Sequence, residues 1–269
     1  MNDQKALLAA LEFQVQAGVD TTVGESPINR FERAKNLDAK EVISESKQEL
    51  QPALTQFEPG APLLGGALAG LPYAKEAAQA AHSIPELVET IENFDHCELK
   101  KTARSTVVLD GNPAAQILLL GEAPGAQEDE VGLPFVGPAG QLLDSMLAAI
   151  GFSREIHVLI SNSVFWRPLG NRTPNDGELS VCRPFIERLI ELNQPKVIVT
   201  LGAASTKSLL GLPAITRARG KWVKYSLSDG TDIPALPMLH PAYLLRMPTT
   251  KREAWMDLRS LKAKVEELI

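Results

Sequence analysis

A chain of 269 residues, 44% apolar and 22% charged, can bury a full hydrophobic core in one or two domains. Its two cysteines, Cys97 and Cys182, stand far apart, which excludes a disulfide framework and leads us to expect a reducing, cytoplasmic compartment. No uncharged apolar run approaches the ~18 residues of a membrane span, and the N-terminus lacks the basic region of a secretory signal, so membrane and secreted classes are set aside. The net charge of −6 is unevenly spread: residues 1 to 100 hold 8 Lys+Arg against 16 Asp+Glu, and the remainder hold 19 against 17. A basic group at Lys207, Arg217, Arg219, Lys221 and Lys224, and another at Arg246, Lys251 and Arg252, read either as solvated faces or as a rim able to meet phosphates.

In chain order, Leu7, Leu8, Leu11 and Val15 fall at helical spacing, predicting a short amphipathic helix over Gln4 to Gln16. The prolines and the GAPLLGGALAG segment that follow show no sustained period. Residues 1–82 are therefore expected to be an N-terminal helix followed by an acidic, Pro/Ala/Gly-rich extension, with a small helical subdomain as the alternative. From residue 83 to 269 the pattern is that of one domain. Ser83, with Pro85 and Glu86 behind it, predicts a capped helix. Strands are then predicted at Ile117–Leu120, Val158–Ser161, Val197–Leu201 and Ala235–Leu239. Helices are predicted at Ala139–Ile150, near Glu178–Leu192, from Ala203, and at Lys251–Leu268, with a hairpin or turn over Trp222–Asp232. Strands alternating with helices imply an α/β fold, a parallel sheet covered on both faces.

Ligands bind such sheets outside the carboxyl ends of the strands. The connection after the first strand, GEAPGAQEDEVGLPFVGPAGQLL, crowds five glycines, four acids and Phe135 into that place. Two more polar loops leave later strands, SNSVFWRPLGNRTP and LHPAYLLR. A phosphate-binding loop is set aside, because GEAPGAQED lacks the Gly-Lys-Ser/Thr that holds phosphates and magnesium.

Those three segments, in this order and each at the end of a predicted strand, closely resemble the motifs of family 4 uracil-DNA glycosylases. The resemblance runs from about Ile91 to the C-terminus, roughly two thirds of the chain. It implies a three-layer α/β/α fold with a central four-stranded parallel sheet. It also implies a monofunctional enzyme that flips uracil from DNA and hydrolyses its N-glycosidic bond, leaving an abasic site. Such an enzyme needs a pocket, a stacking ring and a reader of the Watson–Crick edge. By resemblance Phe135 is the ring and Asn162 the reader, its amide offering a donor and an acceptor to uracil. A core phenylalanine and a turn-capping asparagine are the structural alternatives. The loop from Gly121 to Gly125 is implied to lie against uracil, and His240 is implied to be the catalytic histidine, donating toward uracil O2 as negative charge builds there.

In the best-known branch of the superfamily an aspartate positions the attacking water, and here that position holds Ala123, as is usual in family 4. Glu122, Glu128 and Asn171 occupy family positions that remain polar and are the candidates to orient water or line the pocket, whereas Asp129 and Glu130 read as a solvated turn. Leu244, Leu245 and Arg246 are candidates for the wedge that fills the hole left by the flipped base, with core packing the alternative for both leucines; Arg172 belongs to a second backbone-contacting loop. The family carries a [4Fe-4S] cluster on four cysteines. Cys97 and Cys182 match two of those positions, but Phe94 and Trp166 stand at the others and ligate no iron, so no cofactor is expected. The expected partner is uracil-containing DNA, bound by a monomer. The alternative function is a damaged-DNA binding module with little turnover.

Overall fold

The computed structural model describes residues 69–268. The helix predicted at Gln4–Gln16 lies outside them. Three strands are apolar for most of their length, β2 (Ile117–Gly121), β3 (Val158–Asn162) and β4 (Val197–Leu201), and every residue in them is buried. That pattern belongs to strands covered on both faces. With β6 (Asp232–Met238) they form four parallel strands in the order β3-β2-β4-β6, which is the expected sheet.

The sheet has six strands, not four, because an antiparallel strand is added at each edge. β1 (Leu109–Gly111) pairs with β3, and β5 (Val223–Ser226) pairs with β6. A half-buried three-residue strand carries no periodicity to detect, which is why β1 was not anticipated. β5 is the anticipated hairpin: the Leu227 N–H donates to Thr231 O at 2.8 Å across a turn whose Asp229 carboxylate accepts from the Thr231 N–H at 2.8 Å.

Alternate side chains of each strand feed two cores. On one face Leu118, Leu120, Leu159 and Ile198 pack with α1 (Leu71–Ala80), α2 (Ile84–Glu92) and α6 (Asp176–Asn193). On the other, Ile117, Leu119, Val158, Ile160, Val197 and Val199 meet α4 (Pro138–Ala149) and α10 (Lys251–Leu268). The remaining helices are short: α3 (Ala126–Val131), α5 (Arg154–His157), α7 (Ala203–Leu210), α8 (Ile215–Ala218) and α9 (Pro241–Arg246).

The folded unit extends N-terminal to residue 83. α1 buries Ala74 and Ala78 in the same core as α6, and its alanines, too small to mark a hydrophobic stripe, let it pack closely there. α2 begins as the sequence implied, with the Ser83 hydroxyl accepting from the Glu86 N–H, while the Glu86 carboxylate reaches back to the His82 N–H at 2.8 Å.

The chain leaves β2 to one side for β3, then crosses to the other side for β4. The crevice between the diverging connections at the carboxyl ends of β2 and β4 is where an open α/β sheet leaves room for a ligand.

Candidate active site

A cavity of about 540 Å³ opens at that point. Glu122 enters it from the end of β2, Asn162 from the end of β3, Gly202 and Ala203 from β4, and His240 from beyond β6. Of the residues anticipated from sequence, Glu122, Gly125, Glu128, Phe135, Asn162, Asn171, Arg172, His240 and Arg246 all line it. Gly121 lies beneath the wall: a Cβ there would overlap both Asn162 Oδ1 and the Phe135 ring, so glycine is what lets these two side chains meet.

Phe135 sits at the left-handed backbone angle φ 55°, an unusual conformation for a large side chain. Its ring packs 5.5 Å from the His240 imidazole, with 26° between the planes. A Cβ on Gly140 would overlap the Phe135 carbonyl, so the first turn of α4 is open only to glycine at that point. Asn162 is buried at the cavity floor, yet among the described residues its amide has no protein hydrogen-bond partner. The amide is open to the cavity and offers a donor and an acceptor there, so the group is suited to a ligand edge.

His240 is the N-cap of α9. Its Nδ1 accepts from the Ala242 N–H at 3.1 Å, so a neutral ring must carry its proton on Nε2. Burial pushes the imidazole below its ordinary range, and the nearby Glu122 carboxylate opposes that shift only in part. His240 therefore stands at neutral pH as an uncharged donor. Glu122 Oε1 accepts from the Ala204 N–H at 3.1 Å at the first turn of α7; its second oxygen has no protein partner among the described residues.

Glu128 has another task. Its Oε1 accepts from the Val136 and Gly137 N–H groups at 3.0 and 2.8 Å, and its Oε2 from the Gly125 N–H at 3.1 Å. Three backbone bonds leave it organising the loop rather than orienting water. Asn171, also at a left-handed angle (φ 56°), has its Oδ1 taken by Arg167 Nε at 2.7 Å, which leaves the amide NH₂ group for the cavity. Arg172 makes a bidentate pair with Glu178 at 2.8 and 2.6 Å, so its guanidinium is anchored beside the cavity rather than left loose for phosphates.

The wedge divides. Leu245 is 43% exposed, whereas Leu244 is 1% exposed and belongs to the core beneath α9, so only Leu245 is available to enter a duplex. The acidic turn divides too: Asp129 is buried and accepts from the Arg104 and Ser105 N–H groups at 2.8 and 3.1 Å, while Glu130 stays exposed. The basic groups are thinned by pairing. Lys207 bonds Asp176, Arg219 bonds Asp257 and Lys224 bonds Asp232, while Arg217, Lys221, Arg246, Lys251 and Arg252 have no ion pair among the described residues.

Three groups went unread in the sequence. Thr216 and Tyr243 line the cavity, and Arg154 holds the turn behind Phe135 through the Pro134 and Phe135 carbonyls. No spacing marks them, because each reaches the site through the tertiary fold.

The four family cluster positions form a different kind of place. Phe94, Cys97, Trp166 and Cys182 are all buried. Phe94 packs edge-on to Phe185 with centroids 5.0 Å apart, and Trp166 edge-on to Phe165 at 5.8 Å. The Trp166 indole N–H donates to Thr106 Oγ1 at 3.0 Å. Cys97 and Cys182 are free thiols buried near each other; the neighbouring Cys182 draws Cys97 down, while burial pushes Cys182 up. Two thiols among packed rings do not fit a four-thiolate cluster, and no group of three or more His, Cys, Asp or Glu able to hold a metal occurs among the described residues.

Comparison with known proteins agrees with this geometry. Residues 109–259 match the Uracil DNA glycosylase superfamily. The chain is 36% identical to the type-4 uracil-DNA glycosylase of Sulfurisphaera tokodaii over 186 residues, 67% of this chain and 84% of that protein. It is 37% identical to the Pyrobaculum aerophilum type-4 enzyme over 180 residues, covering 65% and 91%, and 36% identical to that of Archaeoglobus fulgidus over 185 residues, covering 66% and 92%. The chain belongs to the uracil-DNA glycosylase superfamily, in its type-4 branch.

Proposed function

We infer that this protein excises uracil from DNA, hydrolysing the bond between uracil and deoxyribose and leaving an abasic site for base excision repair. The observation that carries the reading is the convergence on one cavity of a stacking ring, a buried amide without an internal partner and a neutral histidine donor. Phe135 stacks on the flipped base, and Asn162 meets its Watson–Crick edge. As the glycosidic bond lengthens, negative charge moves onto uracil, and the Nε2–H of His240 stabilises it at O2 without first having to lose a proton. Glu122, fixed through one oxygen, turns the other to the water that attacks the sugar carbon. Among the described residues no lysine lines the cavity, so the reaction proceeds by hydrolysis and leaves the strand unbroken.

The same reading assigns no cluster to this chain: aromatic side chains take up the space at two ligand positions, and the fold holds there by packing. Purified protein is expected to show no visible absorption band and no stoichiometric iron; a brown protein with about four irons per chain overturns this.

Uracil-containing single- and double-stranded oligonucleotides, incubated with the protein and then treated with alkali, test the activity. Cleavage at the uracil position is the expected result. Retention of the oligonucleotide without an alkali-labile product would instead make the protein a damaged-DNA binding module.

A further inference from the structure

Phe135 can stack on a base only if its backbone keeps an angle that few large residues adopt (φ 55°). The peptide that follows it is held along both edges. On one side Glu128 Oε1 accepts from the Val136 and Gly137 N–H groups. On the other, Arg154 donates from Nη2 to the Phe135 carbonyl at 2.7 Å and from Nη1 to the Pro134 carbonyl at 2.9 Å. The arginine is itself fixed. Nη1 also donates to Asp110 Oδ2 at 2.6 Å, and Nε and Nη2 donate to Asp144 Oδ1 at 3.1 and 3.0 Å. Each of the five N–H groups of the guanidinium thus has an acceptor, in a side chain only 13% exposed.

We propose that Arg154 is a positioning residue for uracil excision: it sets the plane of the Phe135 ring by locking the Pro134–Phe135 turn to β1 and α4. The proposal rests on the reading of Phe135 as the stacking ring. A planar fork with five donors spans two carboxylates and two carbonyls together; a lysine, with three donors on one nitrogen, cannot. Without the fork the turn is free to relax toward an ordinary backbone angle. The ring then leaves the position opposite His240, and base and histidine no longer share one geometry.

The test is a double-mutant cycle. Arg154→Lys, Phe135→Leu and the double variant are compared by single-turnover excision from a uracil-containing oligonucleotide at saturating enzyme, with thermal unfolding recorded alongside. Arg154→Lys is expected to slow excision by about tenfold to a hundredfold. On the Phe135→Leu background the same change is expected to cost less than about twofold, because the ring it serves is gone. A purely structural arginine predicts losses that multiply, and multiplicative losses overturn the clamp while leaving the stacking role intact. Full activity in Arg154→Lys also overturns it. Full activity in Phe135→Leu removes the stacking role and the clamp together. Should Arg154→Lys fail to fold, Asp144→Ala, which withdraws one anchor from an exposed position, substitutes for it: a smaller loss that vanishes on the Phe135→Leu background supports the clamp, and an equal loss on both backgrounds overturns it.

Discussion

The base cavity and the aromatic region of Phe94, Cys97, Trp166 and Cys182 lie against the same sheet, and they differ in how their polar groups are met. In the cavity, the Asn162 amide and one oxygen of Glu122 have no protein partner among the described residues, and His240 spends its Nδ1 on the backbone so that Nε2–H faces open space. At the other place Trp166 has its donor matched, two free thiols lie buried, and rings fill what remains. Polar groups left open to a cavity are available to meet a ligand. Phe94, Cys97, Trp166 and Cys182 belong instead to the hydrophobic core.

The contrast can be broken by substitution. Trp166→Ala is expected to lower stability by about 3–5 kcal/mol, the range for emptying a buried aromatic site, while excision at a temperature where the variant stays folded changes less than about twofold. An excision loss that exceeds the loss of folded protein would make that region part of the active site. His240→Asn keeps a side-chain acceptor for the α9 N-cap and removes the ring donor, so it is expected to slow excision by about 10²–10³ with little change in unfolding temperature.

The sign of the pH effect sharpens the same point. Burial holds the folded His240 below its ordinary range, so the unfolded chain, with a histidine pKa near ~6.5, takes up a proton first as pH falls. His240 therefore subtracts nothing from stability above about pH 6.5 and subtracts progressively more below it. The unfolding temperature of the wild-type protein should fall more steeply on the acid side than that of His240→Asn; parallel curves would contradict the neutral-donor assignment. Leu245→Ala carries the smallest effect. It should leave stability within about 0.5 kcal/mol, as expected of an exposed side chain, and slow excision from duplex more than from single strands. Equal slowing on both substrates would argue against a wedge.

Much of this is legible in the sequence. Apolar runs bounded by Gly and Pro located the parallel strands, and the residues just beyond their ends, Glu122, Asn162 and His240, met in one cavity because parallel strands bring their carboxyl ends to one edge. The side chains on which sequence and structure part are those whose task depends on what lies across space. Glu128 and Asp129 are adjacent acids, expected to orient water or line the pocket and to form a solvated turn respectively; one binds the loop carrying Phe135, and the other, buried, caps the Arg104–Ser105 backbone. Leu244 and Leu245 are neighbours of one type, and only the direction in which α9 packs separates core from surface.

The sequence by itself determined the parallel sheet, the edge of it that carries the site and the residue types that gather there, because apolar periodicity and the alternation of strands with helices are written along the chain. Tertiary structure alone decided the protonation of His240, the division of labour among the acids and the Arg154 brace behind Phe135. Those depend on burial and on which hydrogen bonds the packed loops form, some between neighbouring residues and some across 44, and neither is written in the hydrophobic pattern.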